Sequence, residues 1–305
     1  MQQPNRAVVA CAATLVALFA TSRAFAHGIV GNHFFPATTA TDDPFAVDEL
    51  ALPTFSFVKN SSSEDRLANW EFAGGFEFDK EIFPRFALGV SDTYHYFNPD
   101  RGRTAQGWDN LSFSAKYELW RSEPMEAIAS VGLDTDVGGT GSRGIGRDSF
   151  TTFTPAFFFG KGFGDLPERA GFLRPFAVTG EIGQSFPTSA RAPNTLEWGF
   201  ALEYSLPYLQ QQVKDIGLPA PFKNMIPLVE FAFETAENRA EGGLTSGTIN
   251  PGVIWVSKSV QLGVEANIPV NSRSGTHVGA TIQLWIFIDD LFPKIFGHPI
   301  FGARS

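Results

Sequence analysis

The sequence predicts an all-β protein, a closed antiparallel transmembrane barrel of about twelve strands, and three observations predict it. Along most of the chain, large apolar side chains alternate with polar or small ones. The alternating segments run about 9 to 13 residues, close to what a tilted strand needs to cross a bilayer and longer than a typical soluble strand. The links between them alternate between short and long, as periplasmic turns and external loops do in such barrels.

Before the barrel comes a leader, 1–26. Arg6 supplies a positive start, 7–20 is an apolar run, and Ala24-Phe25-Ala26 is a small-x-small cleavage signal. That pattern is a secretory signal peptide, with cleavage predicted between Ala26 and His27. The run is too short for a membrane helix, which needs about 20 apolar residues. Val8-Val9-Ala10-Cys11 looks like a lipobox, but almost no apolar stretch precedes Cys11, so a lipid anchor is rejected.

Cys11 is the single cysteine, so the exported chain has no disulfide framework and no thiolate for catalysis or zinc. The formal charge is −9, and two units lower once Arg6 and Arg23 leave with the leader. Such an excess of negative charge argues against nucleic acid as a partner. The chain holds 31 Phe, 6 Trp and 30 Gly, yet no apolar run is long enough for a membrane-crossing helix. Aromatic side chains in this number need another geometry to hide in, and alternation supplies it.

Trp70-Glu71-Phe72-Ala73-Gly74-Gly75-Phe76-Glu77-Phe78-Asp79 shows the pattern, and Leu196-Glu197-Trp198-Gly199-Phe200-Ala201-Leu202-Glu203-Tyr204 shows it most clearly. Successive side chains on a strand point to opposite faces, so each such segment has one apolar and one polar face. Candidate strands lie at 70–80, 84–97, 107–120, 125–137, 148–162, 174–185, 194–206, 226–236, 247–257, 259–270 and 276–288. The links 79–84, 121–124 and 257–259 are short; 98–106, 138–147, 187–193 and 238–246 are longer and polar, Gly-rich or charged. This parity makes the 70–80 strand start outside, whereas an exported barrel starts in the periplasm. One further strand is therefore needed, and Leu52-Pro53-Thr54-Phe55-Ser56-Phe57-Val58 provides it, with 60–69 as the first external loop. Two stretches disobey the scheme. The connection 207–225 should be short and is long; Leu209, Val213 and Ile216 have helical spacing, which predicts a short helix across the periplasmic mouth, with a disordered loop as the competing reading. The segment 27–51, punctuated by Asp42-Asp43-Pro44, is irregular and either folds into the lumen as a plug or hangs in the periplasm. The chain thus divides into the leader 1–26, the segment 27–51, and the barrel with its C-terminal tail, 52–305.

The polar faces assign Glu71, Glu77, Lys116, Glu118, Glu181, Glu197, Glu203, Glu230, Glu234 and Glu265 to the lumen, together with Thr179, Gln261, Asp134 and Asp136. Charges cannot be buried dry and unpaired, so either water fills the lumen or arginines fold in. The carboxylates read as a cation-preferring pore or as a packed polar interior that holds the barrel together. Arg101, Arg103, Arg143, Arg147 and Arg191 line an external constriction or are solvated surface.

Other chemistries leave weaker traces. A barrel-borne hydrolase needs a histidine beside a serine. His95 lies in a candidate strand near its external end with Ser91 and Asp92, but an aromatic girdle explains Tyr94, His95 and Tyr96 equally well. His27 at a new N-terminus with His33 could chelate copper, against which stands the missing disulfide framework. Gly139-Thr140-Gly141-Ser142-Arg143-Gly144 matches a dinucleotide-binding glycine pattern, yet no helix follows, so it reads as a flexible external loop. No catalytic residue, metal ligand or cofactor is assigned. The reading is a channel or uptake porin for a small-molecule solute rather than an enzyme, with outer-membrane lipid and, during biogenesis, the barrel-assembly machinery as partners. A hydrolase and a structural or adhesive barrel are the alternatives.

The opening His27-Gly28-Ile29-Val30-Gly31-Asn32-His33-Phe34-Phe35-Pro36, the stretch Asp42-Asp43-Pro44 and the closing Leu284-Trp285-Ile286-Phe287-Ile288-Asp289-Asp290-Leu291-Phe292-Pro293 resemble outer-membrane proteins grouped as the "MetA-pathway of phenol degradation" transporter-like family. The resemblance implies a barrel in the outer membrane and uptake of aromatic or other small hydrophobic compounds; it carries over no site residue. One departure concerns the C-terminus. Many barrels end on an aromatic strand residue, whereas here 289–305 continues past the last strand. Either 284–292 acts as an internal assembly signal or 295–301 tucks back against the barrel.

Overall fold

The computed structural model describes residues 28–62, 67–239 and 242–302. The leader reading, His27 included, lies outside the described residues. A small hairpin, β1 (Ile29–Val30) and β2 (His33–Phe34), comes first. The wall follows: β3 (Glu49–Asn60), β4 (Asn69–Phe83), β5 (Phe86–Pro99), β6 (Ala105–Trp108), β7 (Ser112–Ser122), β8 (Ala127–Asp136), β9 (Thr152–Gly162) and β10 (Phe176–Pro187). It continues through β11 (Thr195–Tyr204), β12 (Met225–Ala236), β13 (Thr245–Val256), β14 (Val260–Pro269) and β15 (Gly279–Ile286).

Each wall strand pairs antiparallel with its neighbours, and β15 pairs with β3 to close the cylinder. β6 and β7 share one place in the wall. β5 pairs with β7 through Phe86–Ser91 and with β6 through Tyr94–Phe97, so the barrel has twelve strands. The single strand predicted at 107–120 is thus broken at 109–111, and other edges move, among them the 148–162 strand, which starts at Thr152, and the barrel itself, which starts at Glu49 rather than at 52.

The alternation divides the wall into two faces. Phe57, Phe72, Leu88, Phe113, Phe157, Ile182, Phe200, Leu202, Val264 and Ile282 point outward and are exposed. Cross-strand aromatic pairs reinforce this belt: Phe200 stacks on Phe231 at 4.6 Å between ring centroids, and Trp198 on Phe233 at 4.5 Å. A continuous apolar belt around a closed cylinder is what bilayer lipid covers and water does not. Trp70, Tyr96 and Trp108 lie at the loop end of the belt; Tyr117, Trp120 and Tyr204 lie at the turn end. Trp285 and Tyr208 depart from a girdle role, because both are buried inside.

The ends differ as parity requires, with exceptions. Turns at 84–85, 123–126 and 257–259 are short. The connection between β11 and β12 carries α1 (Leu206–Tyr208), running directly into a π turn at Leu209–Val213 and a 3-10 turn at Phe222–Asn224. Pro207 sits in the first turn of α1, and Ser205 caps it by accepting from the Tyr208 N–H at 3.1 Å. A second long turn-end connection, 163–175, carries a 3-10 helix at Glu168–Leu173 that the parity argument leaves out.

Candidate functional site: an acidic lumen around the N-terminal segment

Residues 28–48 enter from the turn end, rise into the barrel and return to start β3. Their first bend needs glycine: Gly31 has φ +64°, and a Cβ there would lie 2.4 Å from the Glu123 carbonyl oxygen. Apolar side chains fix the segment to the wall on several sides. Val30, Phe35 and Phe45 pack on Ile128 of β8 and Ala177 of β10; Phe34 packs on the cluster of Ile226, Leu228, Ile254, Val256 and Phe287. Ala37 packs on Ala51 and Trp285.

The tip of the segment is held by one carboxylate. Glu230 of β12 is fully buried and accepts from the N–H groups of Thr39 (3.1 Å), Ala40 (3.0 Å) and Thr41 (3.2 Å). It also accepts from the hydroxyls of Thr39 (3.1 Å) and Thr41 (2.9 Å). A chain reversal with converging N–H groups is an anion nest, and here the wall supplies the anion. Glu265 reaches this region across β13 because residue 252 is glycine; a Cβ on Gly252 would lie 2.3 Å from the Glu265 Cγ.

Further wall groups meet the segment at intervals. Lys116 Nζ lies 2.7 Å from Asp42 Oδ2 and donates to the Asp43 carbonyl at 2.8 Å. Gln261 donates to the Ala37 carbonyl at 2.6 Å, and Glu118 accepts from the Ala46 N–H at 3.2 Å. Asp43 accepts from the Phe45 N–H at 2.8 Å, and its carboxyl is pushed up from 3.8 to about 6, mainly by burial, with Lys116 opposing.

At the turn end, Glu126 ties three elements together. It accepts from the Gly164 N–H (2.8 Å) and the Tyr208 hydroxyl (3.2 Å), and its carboxylate lies 3.5 Å from His33 Nδ1. Burial alone would raise its carboxyl; the His33 ring and the two donors outweigh that and hold it below its ordinary value. The Tyr208 phenol is pushed up to about 12 by its burial and by Glu126.

Above the tip, toward the loop end, lie two polar cavities of about 320 and 360 Å³ that share Ser91 and Ser112 in their walls. The inner one has Thr38–Asp42 as its floor and Glu77, Asp134 and Glu181 in its walls. The outer one is lined by Asp92, Asp109, Asp136 and Asp148, with Arg147 as a counter-charge. Arg147 Nε lies 3.1 Å from Asp109 Oδ1. Below the tip, a cavity of about 1020 Å³ separates the β1–β2 hairpin from α1 and the β13–β14 turn.

The ten residues assigned to the lumen therefore occupy three settings. Glu230, Glu203, Glu265, Glu118 and Lys116 meet or underlie the N-terminal segment, buried or nearly so, and do not line an open channel. Glu77 and Glu181 border the inner cavity. Glu71, Glu197 and Glu234 lie toward the loop end: Glu71 pairs with His95 at 2.5 Å, Glu197 accepts from Ser185, and Glu234 is exposed beside Glu197 in the register. Of the loop arginines, Arg147 borders the outer cavity; Arg101, Arg103, Arg143 and Arg191 do not line either one.

The other chemistries are placed as follows. His95 is held between two carboxylates, Glu71 on Nδ1 and Asp109 on Nε2 at 3.1 Å, so both ring nitrogens are engaged away from any serine. His33 is buried between the Phe35 and Tyr208 rings. Among the described residues no group of three or more His, Cys, Asp or Glu is arranged to hold a metal. The glycine motif at 139–144 lies in the loop between β8 and β9. Sequence reading missed Glu123 and Glu126 in the turn between β7 and β8 and Asp48 in the irregular segment, because neither place follows the alternation that identified the others.

No protein-family model matches the chain, and no curated protein does. Solved structures do. The COG4313 outer membrane channel from Pseudomonas putida F1 is 11% identical with a TM-score of 0.51, over 83% of this chain and 99% of that one. The KdgM porin, solved in complex with disordered oligogalacturonate, is 10% identical with a TM-score of 0.45, over 77% and 97%. The β domain of the Bordetella autotransporter BrkA is 12% identical with a TM-score of 0.42, over 79% and 99%. At 11% identity the likeness to the COG4313 channel is one of fold, and with the closed twelve-strand cylinder it gives the chain the architecture of an outer-membrane barrel.

Proposed function

We propose that this protein is an outer-membrane channel for a small hydrophilic solute, cation-preferring, with residues 28–48 as a plug that closes it at rest. The observation that carries the reading is the seating of Thr39–Thr41 on Glu230, at the floor of an acidic cavity on the loop side. A solute entering from the loop end meets carboxylates and hydroxyls, with Arg147 and Lys116 already paired to Asp109 and Asp42. A fixed negative potential in a water-filled passage concentrates cations. The resemblance to the phenol-degradation transporter-like family supports uptake as the role, whereas the lining offers few aromatic faces to a hydrophobic cargo. With its one well-placed histidine locked between carboxylates, the lumen supports transport over hydrolysis.

The test is conductance of the refolded chain in a planar bilayer under a salt gradient. Wild type is expected to insert and conduct little, while Glu230→Ala is expected to conduct steadily with a reversal potential of cation sign. Anion selectivity, or silence of a correctly folded Glu230→Ala barrel, would count against the proposal.

A further inference from the structure

After β15 the chain enters the turn-end mouth, where Phe287 packs beside Phe34, and forms a short helix α2 (Ile288–Leu291). It then runs outward over the rim, across β3, to the end of β4. Four contacts place 296–302 against the outer wall there. The Ile300 and Phe301 N–H groups donate to the carbonyls of Glu81 (3.2 Å) and Ile82 (2.9 Å). The Gly297 N–H donates to Asp48 Oδ2 (2.8 Å), and the His298 carbonyl accepts from Lys80 (2.8 Å).

Two features say which side of the wall this is. Phe78 and Lys80 have the same strand parity as Phe72, which is exposed in the apolar belt, so they start on the lipid-facing side. Phe78 meets Phe296 edge-on at 6.3 Å, and Phe83, also exposed, lies 5.5 Å from Phe301. Lys80 is paired with Asp48 at 2.7 Å, and Asp48 is fully buried. An ion pair on the outer face of a membrane barrel is costly where lipid would touch it. The tail covers this pair, and the Phe296 ring lies 5.9 Å from the Lys80 ammonium.

The cover is itself apolar on its far side. Phe292, Ile295, Ile300 and Phe301 are 55, 63, 53 and 57% exposed, and the last of them, Phe301, adjoins Phe83 at the lower edge of the belt. Isolated exposed apolar residues are ordinary, but a run of four that continues a lipid-facing belt is not. From this continuity we infer that 292–301 is an in-plane membrane anchor: it lies in the lipid of the turn-side leaflet and takes over the lipid contact of the wall it covers. The tail then forms a lipid-exposed seal at the rim instead of a periplasmic extension.

Single cysteines at Ile295 and Ile300, in a chain with Cys11 absent, would carry nitroxide labels in liposomes. Leu52→Cys on the outward face of β3 serves as the lipid reference and Lys214→Cys in the turn-end connection as the water reference. Heat-modifiable mobility verifies folding of each variant. The expected result is collision with oxygen and loss of collision with a water-soluble nickel chelate at 295 and 300, as at 52. Nickel accessibility matching that at 214 would overturn the inference. So would spin–spin broadening at 295 that vanishes on dilution with unlabelled protein, because the covering partner would then be a second copy of the chain.

Discussion

At the scale of single residues, the decisive group is the Glu230 carboxylate, which receives five donors from Thr39, Ala40 and Thr41. Hydrogen bonds to a charged acceptor are worth about 1.5–3 kcal/mol each, and they are not additive when they share one group. Removing the acceptor also leaves buried N–H groups unpaired. A net loss on the order of 3 kcal/mol for Glu230→Ala follows, which shifts the closed-to-open ratio on the order of 100-fold. Glu230→Gln keeps one carbonyl acceptor but adds donors facing donors, so it is expected to fall between wild type and Glu230→Ala in open probability. A glutamine variant as tightly closed as wild type would show that charge is not what holds the tip.

At the scale of elements, the segment 28–48 has little regular structure of its own and is fixed by what it touches. Its two-residue strands cannot hold a fold unaided. Phe35 is nearly fully buried and meets Phe45 at 6.1 Å within the cluster that includes Ile128 and Ala177. Truncating a buried phenylalanine costs about 3–5 kcal/mol. Phe35→Ala is therefore expected to release the segment to limited proteolysis while the barrel keeps its heat-modifiable mobility, because the backbone ladder of the wall runs from strand to strand without passing through the plug. Loss of the barrel band in the same variant would mean that wall and plug fold as one unit. The break between β6 and β7 belongs to this scale too. Asp109 there contacts both His95 and Arg147, so the bend turns wall side chains toward the outer cavity.

At the scale of the whole molecule, two surfaces with opposite demands are separated by one layer of backbone. The outer one must be apolar: Phe200, in the middle of β11, is exposed, and an arginine at such a position costs about 2–4 kcal/mol at the bilayer midplane. Phe200→Arg is expected to lower the urea midpoint for unfolding from vesicles, with unchanged selectivity in the fraction that inserts. The inner surface responds to pH. Asp43 is raised to about 6 when docked, so it holds its proton more tightly in the closed state; its contribution to docking is full below 3.8 and is lost as pH climbs through about 6. Glu126 acts in the opposite sense: it is held below 4.5, so its contribution is present above that value and is lost as pH falls through the lowered one. Together these place the firmest closure near about pH 5, with conductance rising from there toward neutrality. Asp43→Asn is expected to flatten that rise; a wild type with constant conductance across the window would refute this assignment.

What the sequence determined by itself was the wall. A strand's side chains must alternate, and a cylinder between lipid and an aqueous interior needs one apolar and one polar face on every strand. Period, length and parity of the links were therefore all written locally, down to the strand at 52–58 that parity required. Glu197, Glu203 and Glu230 were legible on their polar face for the same reason. What only the tertiary structure decided was which of those carboxylates meets what. The seating of Thr39–Thr41 on Glu230, nearly two hundred residues away, the placing of Asp42 and the buried Asp43 beside Lys116, and the convergence of Glu126, His33 and Tyr208 depend on where an irregular segment lies inside the closed cylinder. The tail's place on the lipid side depends on the same closure. Neither segment has a periodicity that marks its partner, because its conformation is set by contacts with distant strands and not by its own neighbours.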